Sequence, residues 1–122
     1  MSEPIVDAEL AATIECRLVT TGRTSGDPRE IRIWFSSNGD RVFMLSQDQE
    51  RAHWVRNIVA DPRVTLHIGQ RAFEGVASVL DRSDPDDATA RETFAGKYGT
   101  KYLGKFLREA LPVAIDLERE LT

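Results

Sequence analysis

Cysteine is almost missing from this chain: Cys16 stands alone among 122 residues. A single thiol closes no internal disulfide, so nothing here depends on an oxidising compartment. Long apolar runs are missing as well, and no stretch approaches the ~20 residues that cross a bilayer. Residues 1–10 are acidic and lack the apolar centre of a secretion signal, so a cytoplasmic location is expected. Histidine is scarce, with only His53 and His67. Together with one cysteine they make no recognisable ligand set, and no metal site is expected. Positive charge is not in excess either. The net charge of -4 favours solubility and argues against a protein that grips nucleic-acid phosphates over a broad basic face. No linker and no repeat divides the chain, and its length suits one domain over residues 1–122.

What is present is strand periodicity. Residues 14–19 alternate Ile14, Cys16 and Leu18 against Glu15 and Arg17, which predicts a half-buried strand. A glycine-punctuated loop, 20–28, leads to a second alternation over 30–35, with Ile31, Ile33 and Phe35 on one face. Asn38-Gly39-Asp40 predicts a tight hairpin, because Asn and Gly tolerate the positive φ that such turns need, and residues 41–46 form the returning strand. Over 47–60 the period changes, and Ala52, Val55, Ile58 and Val59 share one helical face. Ser46 or Asp48 is placed to cap this helix, and Asp61-Pro62 stops it. Strands follow at 63–68 and 71–80, the latter interrupted by Gly75, a residue that marks bulges. Ser83-Asp84-Pro85-Asp86-Asp87 starts a helix expected to reach Ala95 and end near Gly96. A short helix over 102–110 and a last strand over 113–117, introduced by Pro112, complete the chain. Two hairpins without a regular βαβ repeat predict an antiparallel, mainly β fold. Six short strands with two or three flanking helices suit a small barrel.

Several segments carry polar chemistry. The loop 20–29 holds two glycines, four hydroxyls and two arginines, Arg23 and Arg29. That composition fits an anion cradle, with guanidinium forks and hydroxyls aimed at a phosphate. It equally fits a solvated hairpin loop. Trp34 lies among charged neighbours, where it either floors a ligand site or packs under another segment or subunit. Ser46 and Gln47 end a strand just before Trp54 and Asn57 on the following helix, a set that can hold a polar ring; Trp54 is equally readable as core. Tyr98 and Tyr102 flank Gly99 and can wall a pocket or simply pack with a wet end. Ser25 lacks partners for a nucleophilic triad, the acids of 81–87 lack calcium-loop spacing, and Cys16 falls on an apolar strand face as an inert thiol.

Taken in order, Thr20-Thr21-Gly22-Arg23-Thr24-Ser25-Gly26-Asp27-Pro28-Arg29, Ile33-Trp34-Phe35, the Asn-Gly hairpin, Trp54-Val55-Arg56-Asn57 and Ala60-Asp61-Pro62-Arg63-Val64 form a combination of motifs. It resembles the deazaflavin-dependent nitroreductase and quinone reductase family. That family lies within the flavin-binding split-barrel group, which includes the pyridoxamine phosphate oxidases. The resemblance implies a six-stranded antiparallel split β-barrel and the cofactor coenzyme F-420, an 8-hydroxy-5-deazaflavin, with FMN as the alternative. It implies hydride transfer to a small-molecule electron acceptor (a quinone, nitro compound or activated alkene) by a homodimer. Arg23, Thr24, Ser25 and Arg29 would hold the cofactor phosphate and tail. Ser46, Gln47, Trp54 and Asn57 would contact its ring or side chain. Trp34, Tyr98 and Tyr102 would shape the substrate side, and one tyrosine would donate the completing proton. The chain departs from the family pattern at Thr24 and Gln47, where relatives carry lysine. A non-catalytic carrier of flavin, heme or lipid is the reading from another class, and turnover of a quinone separates the two.

Overall fold

The computed structural model describes residues 6–39, 41–100 and 104–121. The first described element is a one-turn helix, α1 (Ala8–Ala11); Asp7 caps it by accepting the Leu10 N–H at 2.9 Å. Strand β1 (Glu15–Thr21) pairs with β2 (Pro28–Trp34) as an antiparallel hairpin. A short β3 (Ser36–Asn38) turns at Gly39, whose φ is +66°, into β4 (Arg41–Ser46). A 3-10 turn (Gln49–Arg51) leads to α2 (His53–Ala60). Strands β5 (Arg63–Ile68) and β6 (Arg71–Val79) form the next hairpin. Helices α3 (Pro85–Tyr98) and α4 (Gly104–Glu109) precede the long last strand, β7 (Leu111–Leu121).

The seven strands form one sheet in the order β2-β1-β5-β6-β7-β4-β3, with every neighbouring pair antiparallel. Its two outermost strands, β2 and β3, are consecutive in the chain with only Phe35 between them. The sheet must therefore curl until its edges meet. Among the described residues no ladder joins β2 to β3, and Phe35 alone links these two edges.

Curling creates two apolar clusters. The barrel interior is filled by residues such as Leu18, Met44, Leu66, Phe73 and Ile115. A second cluster lies outside the barrel, where Phe43, Leu45 and Ala114 meet Ala90, Phe94 and Leu107 from α3 and α4. Strands β4 and β7 are thus covered on both faces, which explains the unbroken apolar runs Val42-Phe43-Met44-Leu45 and Val113-Ala114-Ile115.

The structure revises several expectations. The mainly β, antiparallel architecture is as expected, but the described residues form seven strands and four α-helices rather than six strands and two or three helices. Residues 30–35 do not pair with 41–46, because β2 is already paired with β1 and the Asn-Gly turn serves the separate strand β3. The expected helix over 47–60 is broken at Ala52, which is extended (φ −61°, ψ 137°), and neither Ser46 nor Asp48 caps α2. The Ser46 hydroxyl instead donates to the Gln49 carbonyl at 2.9 Å. Val59, placed on the buried face by its spacing, is 72% exposed. Helix α3 continues through Gly96 to Tyr98 and ends at Gly99, whose φ of 83° supplies the stop. Pro112 lies inside β7, which runs on to Leu121. The bulge at Gly75 is present: the register slips between Glu74 and Gly75, and a Cβ there would sit 2.8 Å from the Asp116 carbonyl oxygen.

Candidate functional site

The loop between β1 and β2 is folded by its own backbone. The Gly22 N–H donates to the Asp27 carbonyl at 2.7 Å, and the Gly26 N–H donates to the Gly22 carbonyl at 2.8 Å. Gly26 has a φ of +76°, and a Cβ on Gly22 would come within 2.9 Å of the Ser25 hydroxyl, so both positions call for glycine. Ser25 Oγ accepts from the Asp27 N–H at 3.1 Å and from Arg29 Nη2 at 3.4 Å. The N–H groups of Gly22, Arg23, Gly26 and Asp27 all have protein partners, so what the loop presents is chiefly its side chains.

Between this loop, the start of β2 and α2 lies a groove of about 620 Å³. Six of the residues singled out in the sequence line it: Arg23, Thr24, Ser25, Arg29, Trp54 and Asn57. Asn57 is buried and links the pieces. Its Nδ2 donates to Thr20 Oγ1 at 3.1 Å, and its Oδ1 accepts from the Arg23 N–H at 3.2 Å and from Arg23 Nη1 at 2.8 Å. The Arg23 guanidinium also reaches the His53 carbonyl at 3.4 Å and His53 Nδ1 at 3.1 Å. Glu30, the one acid on the groove wall, is drawn off to Arg17 at 3.5 Å. Arg23 and Arg29 therefore have no carboxylate partner among the described residues. The site is a cationic, hydroxyl-rich groove with one aromatic wall.

Trp34 lies four residues beyond Glu30 on the same face of β2, roughly 13 Å away at the rise of an extended strand. Its ring stacks on Tyr98 at 4.4 Å with an interplanar angle of 10°, and the indole is 40% exposed. The Tyr98 hydroxyl is taken up by backbone. It accepts from the Phe35 N–H at 3.1 Å, with the carbonyls of Ile14 and Phe35 at 2.5 and 2.9 Å. Burial pushes the phenol up to about 12. Lys97 Nζ donates to the same Phe35 carbonyl at 2.8 Å and sits 3.6 Å above the Phe35 ring. Partial burial brings that amine down to about 8. Two neighbouring side chains of α3 thus clasp the single residue that closes the barrel.

Ser46 and Gln47 fall outside both places. Ser46 is buried on the Gln49 carbonyl, and Gln47 borders a depression with Lys105 and Phe106. Tyr102 lies outside the described residues. Thr20, His53 and Lys97, which the structure brings to these two places, were given no individual role by the sequence. Thr20 had a signal, since it continues the inward face of Cys16 and Leu18 with a hydroxyl. His53 had one too, standing four residues before Asn57 and so on the same side of a helix. Lys97 had none.

The model of the F420H(2)-dependent quinone reductase family matches residues 7–118. An F420H(2)-dependent quinone reductase of Mycobacterium tuberculosis (strain H37Rv) is 24% identical over 101 residues, 80% of this chain and 68% of that protein. Among solved structures, the heme storage protein HutZ from Vibrio cholerae superposes with a TM-score of 0.74 at 16% identity, covering 91% of this chain and 87% of its own. The F420-H2 dependent reductase FDR-A superposes with a TM-score of 0.68 at 19% identity, covering 86% and 94%. At such identities these two likenesses establish a shared split-barrel fold.

Proposed function

The chain belongs to the F420H(2)-dependent quinone reductase family, and from that premise we propose that it is an oxidoreductase that holds coenzyme F-420 in the groove beside α2 and reduces a quinone. The observation that carries the reading is the arginine pair, without a carboxylate counter-ion among the described residues, set among hydroxyls in a groove of about 620 Å³. A bound phosphate would supply the missing charge, and guanidinium–phosphate contacts are among the stronger hydrogen bonds available to a protein. The residues present therefore fit the anionic tail of the cofactor. The cofactor, when bound, supplies the hydride.

The chain's own residues bind and orient. Ser25 from the loop and Arg29 from the start of β2 reach the anion, with Thr24 adding a hydroxyl at the place where many relatives carry a lysine. Arg23 keeps its Nε–H and one Nη2–H for the ligand after meeting Asn57 and His53. Trp54 forms the apolar wall. The free face of Trp34, held flat by Tyr98, offers a surface on which a planar acceptor stacks. The reading includes a cytoplasmic homodimer, with quinones preferred over nitro compounds and activated alkenes.

The test is a fluorescence titration of the purified protein with coenzyme F-420, run beside FMN. Micromolar binding of the deazaflavin, weakened about tenfold or roughly 1.4 kcal/mol in the Arg23→Ala, Arg29→Ala double variant, is the expected result. Binding of FMN alone would move the cofactor assignment, and binding of neither would overturn the redox reading.

A further inference from the structure

We propose that His53 is a ligand-contacting residue of the groove, locked by Arg23 as the Nε2–H tautomer and offering that proton to an anionic oxygen of a bound phosphate ester. The inference rests on the reading of the groove as a phosphate-bearing cofactor's site. Its basis is a chain of donors and acceptors with only one consistent solution. A guanidinium has donors and no acceptor. Arg23 Nη2 lies 3.1 Å from His53 Nδ1, so Nδ1 must accept, and the ring carries its proton on Nε2. The guanidinium cannot turn away, because its Nη1 is fixed at 2.8 Å by Asn57 Oδ1. Nor is the Asn57 amide free to flip. Its Oδ1 accepts from two Arg23 nitrogens while its Nδ2 donates to Thr20 Oγ1, and exchanging the two atoms would set donors against donors.

The order of command thus runs from β1 through Asn57 and Arg23 to the imidazole. Thr20 and Asn57 are buried, whereas Arg23 and His53 are exposed on the groove wall. His53 Nε2 has no protein partner among the described residues. Asn57 is accordingly a positioning residue, and His53 is the third donor beside Arg23 and Arg29.

Two measurements test this. Nitrogen-resolved NMR of the imidazole in ligand-free protein should show an unprotonated Nδ1 and a protonated Nε2; a proton on Nδ1 would overturn the proposal whatever binds. Titrations with coenzyme F-420, FMN and inorganic pyrophosphate are then compared for His53→Ala, His53→Gln and His53→Asn. The alanine variant should bind about tenfold more weakly, roughly 1.4 kcal/mol. Glutamine, whose amide nitrogen reaches the Nε2 position, should restore most of that loss. Asparagine, which places its amide against Arg23, should not. Unchanged affinity in the alanine variant would overturn the proposal. Sensitivity to His53 with FMN or pyrophosphate, but no deazaflavin binding, would sustain it while the cofactor assignment fails. Failure of the wild-type protein to bind all three would overturn both.

Discussion

The groove beside α2 and the seam beneath α3 are built by the same device: a polar helix side chain reaches across to a neighbouring segment. At the groove, Asn57 takes hold of Arg23 and Thr20. At the seam, Lys97 and Tyr98 take hold of Phe35. The difference lies in what remains afterwards. Asn57 spends itself on a loop and leaves arginine, imidazole and hydroxyl groups facing solvent. Lys97 and Tyr98 spend their polar atoms on a backbone junction and leave only an aromatic face, Trp34, outside. One tether presents chemistry, and the other seals the barrel.

That contrast can be attacked from the seam side. The largest effect is expected from Phe94→Ala, which empties the centre of the outer cluster on which α3 rests. It should cost about 3–5 kcal/mol in denaturant unfolding, while the folded fraction keeps its affinity for coenzyme F-420. Tyr98→Phe keeps the stacked ring but strips the partner from the Phe35 N–H. A loss of about 1–3 kcal/mol is expected, the cost of an unsatisfied buried group. A larger fall in affinity or turnover than in stability would place that hydroxyl on the ligand and erase the distinction between the two regions.

The smallest effect is one of pH. Burial holds the Lys97 amine at about 8, below its ordinary 10.5. Between those values the unfolded chain binds more protons than the folded one, so stability rises with pH through that window. Burial pushes the Cys16 thiol from 9.0 up to about 12, and there the folded chain keeps a proton the unfolded one loses, so its contribution falls above pH 9. Unfolding measured from pH 7.5 to 9 should therefore show the wild type gaining on Lys97→Met as pH rises. A flat difference would mean the amine is solvated and the clasp is not its resting place.

The groove was largely legible because its parts are close in sequence. Arg23, Thr24 and Ser25 share one loop with Arg29 just beyond it at the start of β2, and Trp54 and Asn57 share one helix turn. What periodicity could not show was which helix face met which strand, so Asn57 looked like a ring contact rather than a link to Thr20. Ser46 looked equally suited to a ligand, yet its hydroxyl is buried on the Gln49 carbonyl. The seam was illegible for a plainer reason. Phe35 and Lys97 are 62 residues apart, and no local pattern pairs a backbone carbonyl with a distant amine.

By itself, then, the sequence determined most of the strands, the turns and a cationic loop, because alternation, positive-φ glycines and residue charge act over a few neighbours. Only the tertiary structure decided that β2 and β3 meet through Phe35, that β4 and β7 are covered on both faces, and that Asn57 holds Arg23 against His53. Each of those depends on distant segments being brought within hydrogen-bond or van der Waals range, and such contacts exist only once the sheet has curled.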